Sequence, residues 1–333
     1  MKSIAAHTRV GQSVLDPFMG RGTTLAAAVA LGRHASGMEI NPIAWIYAIT
    51  KTLPSPAQPL LDRLTELEAL AKEQVVPDLP EFFSWAFHPQ VLLFVLAARE
   101  HLDWRNCAVD RTLMALLLVD LHGKDETALS NQMRQTKSMS PEYAIRWWQA
   151  KELLPRPKNP AQMLRDKINW RYQHGLPQFR GIATAMNGDS TSDLNLLEQN
   201  SPFDFLLTSP PYLGVINYHY DQWLRRWLLG GPALPTNSGG KWQNRFHGAA
   251  DYKALLNDTF SSAAQLLSPN AKVLVRTDAR EATLDITLQV LNQVFPDKVL
   301  KTYRRPFSSQ TQTHLFGDKT TKPGEVDLLL VSR

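Results

Sequence analysis

The sequence predicts a doubly wound α/β sheet interrupted once by a block of helices, and three observations carry that prediction. Residues 13–49 read as strand, glycine turn, helix and strand; residues 54–180 read as helices without strands; strand signals return at Ile182. In the first block, Val14–Phe18 is a short apolar strand, Thr24–Leu31 an alanine-rich helix and Gly32–Glu39 a second strand, the length of one βαβ unit. Asn41-Pro42 opens the next helix, because proline suits a first turn whose amide has no helical partner.

The proline-rich Leu53–Pro59 marks the change of character. Leu60, Leu61, Leu64, Leu67 and Leu70 recur at helical spacing, Pro89 opens a helix through Glu100, and Cys107–His122 ends at Gly123. Ser140-Pro141-Glu142 and Asn159-Pro160 are cap-plus-proline starts. Strands are then expected at Ile182–Met186, Phe203–Leu207 and Ala271–Thr277, with helices over Tyr252–Leu267 and Leu284–Val294. Lys298–Tyr303 and Glu325–Val331 predict a closing antiparallel hairpin around the polar loop Pro306–Gly324.

Composition bounds the function classes. At 333 residues and 44% apolar content the chain can bury a large core. No run of eighteen apolar residues exists, so no membrane span is expected. Met1-Lys-Ser-Ile-Ala-Ala lacks the long apolar core of a secretory signal, and a cytoplasmic location is expected. The one cysteine, Cys107, excludes an internal disulfide and a cysteine-rich site, and no metal is expected. Net charge is +5, yet between Ser130 and Arg180 ten Lys or Arg stand against three Asp or Glu, so the rest of the chain is slightly acidic. With Trp147, Trp148, Trp170 and Tyr172 interleaved, that stretch reads either as a polyanion surface with stacking rings or as a solvated helical face over buried aromatics.

Two motifs carry chemistry. In Ser13–Thr24 a buried strand ends in Asp16, turns through Gly20 and Gly22, and opens a helix whose first amides lie beside Thr23 and Thr24, which is a nucleoside-binding turn. Glu39 closes the second strand about twenty residues on, where a carboxylate can accept bonds from ribose hydroxyls. A dinucleotide turn fits less well, because the third glycine of that fingerprint and a phosphate-binding lysine are missing. In Phe203–Tyr212 a second buried strand ends in a hydroxyl, two prolines and a ring, a clamp for a planar group.

Asp16-Pro-Phe-Met-Gly-Arg-Gly-Thr-Thr24 followed downstream by Ser209-Pro-Pro-Tyr212 resembles the DNA amino-methyltransferases, which methylate exocyclic nitrogens of DNA bases with S-adenosylmethionine. The resemblance covers residues 10–50 and 182–333. It implies a Rossmann-like methyltransferase sheet with a C-terminal antiparallel hairpin and a helical insertion. Residues 1–53 would be the cofactor-binding part, 54–180 an insertion serving DNA binding or target recognition, and 181–333 the catalytic part.

By the same resemblance, Asp16, Pro17, Phe18, Gly20, Gly22, Thr23, Thr24, Glu39, Asn41 and Asp189 surround the cofactor, with Asp16 facing its cationic amino-acid end and Asp189 near its adenine. Ser209, Pro210, Pro211 and Tyr212 form the catalytic clamp. Ser209 would accept one hydrogen bond from the target amine and the Pro210 carbonyl the other, while Tyr212 stacks on a base drawn out of the duplex. Double-stranded DNA is the implied partner, with a cognate restriction endonuclease beside it, and nothing in the sequence specifies an oligomeric state.

By the same resemblance, Ser-Pro-Pro-Tyr implies cytosine N4 over adenine N6, since that form of the motif occurs mostly in the cytosine enzymes of the family. The same clamp chemistry would also serve an RNA or protein amine methyltransferase, and a non-catalytic DNA-binding relative could be built on the same fold. Carbon-5 methylation needs a thiolate, typically beside proline; Cys107 lies between Asn106 and Ala108 and reads as packing. Only Met1–Gly11 precede the first strand, fewer than the family usually has, so either cofactor affinity suffers or the insertion or a partner supplies the lid over the methionine end. Arg225-Arg226, Arg304-Arg305 and Ser308–His314 are candidate phosphate or base-edge contacts, or solvated faces.

Overall fold

A computed structural model of the protein describes residues 1–134, 137–197, 201–214, 218–236, 245, 248–305 and 324–333. In chain order the elements are α1 (Lys2–His7), β1 (Ser13–Asp16), α2 (Thr23–Ala30), β2 (His34–Glu39), α3 (Pro42–Thr52), α4 (Ala57–Glu73), α5 (Phe82–Ala86), α6 (Pro89–His101), α7 (Ala108–Asp120), α8 (Pro141–Ala150) and α9 (Pro160–Tyr172). They continue with β3 (Ala183–Asn187), β4 (Phe203–Thr208), α10 (Tyr218–Asp221), α11 (Trp223–Leu228), α12 (Ala249–Leu266), β5 (Leu267–Asp278), α13 (Glu281–Val294), β6 (Lys298–Arg305) and β7 (Glu325–Ser332). These form two compact units. One comprises Met1–Thr52, Gln178–Ile216 and Lys241–Arg333, the other Leu53–Pro177 and Asn217–Gly240.

The first unit holds a seven-stranded sheet in the order β3-β2-β1-β4-β5-β7-β6. Strands β1 to β5 run parallel, and β7 pairs antiparallel with both β5 and β6, which is the Rossmann-like sheet with a closing hairpin that the sequence predicts. From β1 the chain winds outward through β2 and β3, then restarts at β4 on the other flank. That reversal opens a crevice outside the carboxyl ends of β1 and β4. Helices α2 and α3 pack on β1–β3, while α12 and α13 pack on each other and α13 on β5. Val14, Leu15, Phe205, Leu206, Val273 and Val275 are each 0% exposed, and burial of such side chains stabilises by about 1.5–3 kcal/mol apiece.

Polar groups pin the register at the other ends of the central strands. The Asp204 carboxylate accepts from Ser13 N at 2.8 Å, Ser13 Oγ at 3.2 Å and Gln12 Nε2 at 3.0 Å. One glycine lets the turn after β1 lie across β2: a Cβ built on Gly37 would stand 2.9 Å from each of Asp16 O, Leu25 Cδ1 and Met19 Cβ.

The second unit is helical. Helix α4 packs against α6, α7 and α9 through Leu60, Leu64 and Leu67, all fully buried. Residues Asn217–Gly240, which the sequence places with the catalytic part, group with these helices. Aromatic packing is the cause. Trp223 and Trp227, one turn apart on α11, lie against Phe82 at 4.8 Å and Phe83 at 4.5 Å between ring centroids. Of the aromatics in the basic stretch, Trp148 is fully buried and donates to Gln132 O at 2.7 Å, whereas Trp170 is 69% exposed.

Local differences have local causes. Cys107 is the extended residue before α7, with φ −97° and ψ 121°, rather than part of the helix. Asn159 caps α9 by accepting from Gln162 N at 3.0 Å, whereas Ser140 precedes α8 without a side-chain cap. Arg225 is neither a solvated nor a phosphate-facing cation: it is buried and its Nε donates to Leu118 O at 2.8 Å. Ser308–His314 lies outside the described residues. Among the described residues no helix is long and apolar enough to cross a membrane.

Because a methyl at Gly37 meets backbone and two core side chains at once, Gly37→Ala is expected to cost about 1–3 kcal/mol. A lower denaturant midpoint at unchanged slope is the reading that checks it.

Candidate active site

Two strand tips meet at the crevice. Asp16 ends β1 and Thr208 ends β4, its neighbour in the sheet, and the Thr208 hydroxyl donates to Asp16 Oδ1 at 2.6 Å. Phe18 N donates to the same oxygen at 3.2 Å, closing the turn. Asp16 is 3% exposed, and burial pushes its carboxyl up to about 6 against the pull of hydrogen bonds from Thr208, Thr24 and Phe18 N.

The rest of the turn is held from beneath. Met19 N donates to Met38 O on β2, and Gly22 N returns to Met19 O at 2.8 Å. Gly22 adopts φ +70° and ψ +30°, and a Cβ there would lie 2.7 Å from the backbone of Ala48 on α3, so only glycine serves. As the residue before α2 it offers no side-chain cap, which leaves the first-turn amides at Thr23 and Thr24 for a ligand. Arg21 lies over the Tyr47 ring at 4.6 Å from its centroid, and Lys51 Nζ donates to Arg21 O at 2.5 Å. Pro17 is buried, Phe18 half-buried and Thr23 exposed.

Glu39, at the tip of β2, reaches the same crevice. Its two carboxylate oxygens accept from Gly20 N at 2.9 Å and Asn41 N at 2.8 Å. Burial raises its carboxyl to about 7 despite those two amides, with the nearby Asp16 charge adding to the rise. Asn41 directs its own Oδ1 to Ile43 N at 3.1 Å, capping α3. Asp189, beyond β3, is buried and accepts from Thr191 N and Oγ1 at 3.1 and 2.8 Å and from Arg245 Nη1 at 2.9 and 2.7 Å. Ser190 Oγ bonds Pro17 O, which ties this loop to the first turn.

After Thr208 come the four clamp residues, with Ser209 exposed, Pro210 buried and Pro211 and Tyr212 half-buried. The Tyr212 hydroxyl donates to Glu325 Oε1 at 3.2 Å, from the first residue of β7. Burial pushes its phenol up to about 12, opposed by a hydrogen bond with Ser209 and aided by the Glu325 charge. Leu213 O accepts from Arg280 Nη2 at 2.8 Å, and Arg280 is held by Asp278.

Thr208, Arg245, Asp278, Arg280 and Glu325 lie at the candidate site and are not singled out by the sequence. A signal for two of them exists: Arg276-Thr-Asp278-Ala-Arg280 ends an apolar strand, and the carboxyl end of a strand is where an α/β sheet gathers polar groups that face a ligand.

The crevice fits a cationic nucleoside. Two buried carboxylates, held by hydroxyls and backbone amides, stand beside a helix start and a glycine turn that keeps the backbone bare. S-adenosylmethionine would supply the other half, a sulfonium and an ammonium to offset those charges and ribose hydroxyls to donate to a carboxylate.

Residues 2–48 match the family model described as DNA methylase. No curated protein matches the sequence. Solved structures overlap at low identity. An rRNA methylase from Streptococcus thermophilus has 7% identity, covers 100% of this chain and 94% of its own, and gives a TM-score of 0.38. TrmN from Thermus thermophilus has 11% identity, covers 99% of this chain and 47% of its own, and gives 0.39. A TehB-like SAM-dependent methyltransferase from Corynebacterium glutamicum has 8% identity, covers 100% of this chain and 86% of its own, and gives 0.35. At such scores the overlap assigns no function.

The raised carboxyls set a pH dependence whose sign is definite. Folded values near 6 and 7 lie above those of the unfolded chain, so what these two groups contribute to the stability of the unliganded protein is fully present below about pH 4 and lost as pH rises through 6 and 7. A cationic ligand lowers both values again. Binding of S-adenosylmethionine near pH 6.5 is therefore expected to release protons and to tighten as pH rises from about 5 to about 7.5. Calorimetry in two buffers of different ionisation enthalpy reads both, and proton uptake would contradict the assignment.

Sheet order, the hydrogen-bonded turn and the match over residues 2–48 converge on a Rossmann-like, S-adenosylmethionine-dependent methyltransferase whose residues 2–48 are similar to the DNA methylase family.

Proposed function

We propose that this protein methylates the exocyclic amine of a base drawn out of double-stranded DNA, with cytosine N4 favoured over adenine N6. One observation carries the reading: the Thr208–Asp16 bond puts Ser209-Pro-Pro-Tyr212 at the strand tip next to the cofactor turn. Methyl donor and amine acceptor then have adjoining seats in one unit.

An aromatic amine is a poor nucleophile, because its lone pair is delocalised into the ring. Ser209 and the Pro210 carbonyl act on that problem. Each accepts one hydrogen bond from the amine, which pulls the nitrogen toward tetrahedral geometry and aims its lone pair at the cofactor. Neither proline can donate, and their fixed φ holds the two acceptors in place. Tyr212 stacks on the base. Its phenol stays protonated at any ordinary pH, being pushed up to about 12, so it serves as a neutral ring and hydrogen-bond donor. Asp16 faces the ammonium end of the cofactor and Glu39 its ribose. Asp189 lies on the adenine side, steadied by Arg245. Bound, the cofactor contributes an electrophilic methyl on sulfur.

Within the helical unit, Arg134, Lys137, Arg146 and Lys151 are exposed, and Trp170 projects from α9. We assign these basic side chains to the DNA backbone.

The assay uses labelled S-adenosylmethionine with mixed-sequence duplex DNA and, in parallel, RNA, each digested to nucleosides that are identified by mass. N4-methylcytosine in the DNA arm is expected; N6-methyladenine there would select the second base, and label only in RNA would overturn the substrate. Ser209→Ala should lower transfer about 100-fold or more while leaving cofactor binding intact.

Charge neutralisation tests the helical surface separately. Replacing Arg134, Lys137, Arg146 and Lys151 together by Ala should weaken DNA binding and flatten its salt dependence, since each lost phosphate contact removes about 0.9 from the logarithmic slope. An unchanged slope rejects that surface.

A further inference from the structure

The four clamp residues leave β4 without a ladder of their own, and two of them, Pro210 and Pro211, have no amide to donate. Something outside the loop has to hold it. Two contacts do so at successive residues, the Tyr212 hydroxyl on Glu325 Oε1 at 3.2 Å and the Leu213 carbonyl on Arg280 Nη2 at 2.8 Å.

Both anchors stand at one end of the β5–β7 pair, Glu325 on β7 and Arg280 two residues past β5 as the cap of α13. Asp278, last residue of β5, is opposite Glu325, first residue of β7, and Ala279 N bonds Gly324 O at 3.0 Å just beyond. Asp278 is 7% exposed, and it fixes Arg280 from two directions: Oδ1 takes Arg280 N at 2.9 Å, while Oδ2 takes Nε at 2.8 Å and Nη2 at 2.5 Å. A guanidinium held along one edge in this way still has donors to offer the loop. An ammonium on a flexible stem cannot hold that geometry.

Given the reading of Ser209–Tyr212 as the amine clamp, we propose that Arg280, braced by Asp278, and Glu325 are positioning residues that hold this loop in its reacting geometry. The stiff Pro210-Pro211 link carries the placement of residues 212 and 213 back to the two amine acceptors at 209 and 210. Misplacing those acceptors by about 1 Å is enough to cost on the order of 100-fold in rate. The bonds that hold Asp16 and Glu39 come from Thr208, Phe18, Gly20 and Asn41, so cofactor affinity should be spared.

The test compares the full chain with Arg280→Ala, Arg280→Lys, Glu325→Gln and, as reference, Ser209→Ala. Each is preloaded with labelled S-adenosylmethionine and mixed with mixed-sequence duplex DNA in single turnover. Hydrogen exchange of the peptide spanning residues 203–214 and calorimetric cofactor binding are measured alongside. Arg280→Ala should slow transfer about 10- to 100-fold with cofactor Kd within about twofold. The amides of Tyr212, Leu213 and Gly214 should exchange faster while those of β1 and α2 do not, and Arg280→Lys should recover only part of the loss. Glu325→Gln keeps the shape of the anchor and should give a smaller change of the same kind. Where Arg280→Ala does not fold, Arg280→Lys and Glu325→Gln decide.

The outcomes separate two failures. Full-rate transfer by Arg280→Ala beside an inactive Ser209→Ala rejects the positioning role alone, as does unchanged loop exchange. Undiminished transfer by Ser209→Ala rejects the clamp itself.

Discussion

A single hydroxyl-to-carboxylate bond, Thr208 to Asp16, joins the two halves of the site at the point where the sheet reverses its winding. Parallel pairing of β1 with β4 brings the tips of two strands far apart in the chain side by side, and this bond locks their ends together. Hydrogen bonds to a carboxylate in so buried a place contribute about 1.5–3 kcal/mol each, and Asp16 needs them, because water no longer solvates it. The glycine turn leaves from one partner and the clamp from the other. Any shift of β4 relative to β1 would separate them.

The crevice is assembled at the cost of desolvated carboxylates. Glu39 takes two backbone amides, one from the turn and one from the start of α3, so the same side chain that faces the crevice also fixes the turn beside it. Burial still keeps both Asp16 and Glu39 well above the ordinary carboxylate range. A site of this kind is less settled empty than filled by a cation, which is what favours a sulfonium nucleoside over a neutral one. On the acceptor side, Arg280 and Glu325 reach the loop from the ends of β5, which lies next to β4 in the sheet, and of β7, although neither strand carries a recognised motif.

Aromatic side chains explain where the sequence misled. Trp223-Leu-Arg-Arg-Trp-Leu228 follows soon after the clamp and reads as part of the catalytic segment, yet its tryptophans find partners in Phe82 and Phe83 and carry Asn217–Gly240 into the helical unit. Composition shows that such rings will be buried; it does not say against what. Arg225 repeats the lesson with charge, since a cation written beside another in an exposed-looking pair is buried on a helix carbonyl.

Much of the architecture was legible from residue order alone. The strand-turn-helix-strand of residues 13–49, the helical block, the later strands and the closing hairpin follow from apolar periodicity, glycine and proline, which act within a few residues of chain. The glycine turn and Ser-Pro-Pro-Tyr were legible for the same reason, because each motif is local and ends a strand. Tertiary structure alone decided that Thr208 meets Asp16, that Asp278, Arg280 and Glu325 surround the clamp, and that Arg245 sits on Asp189. Those contacts join residues dozens to hundreds of positions apart, and only the order of strands in the sheet brings them within hydrogen-bond reach.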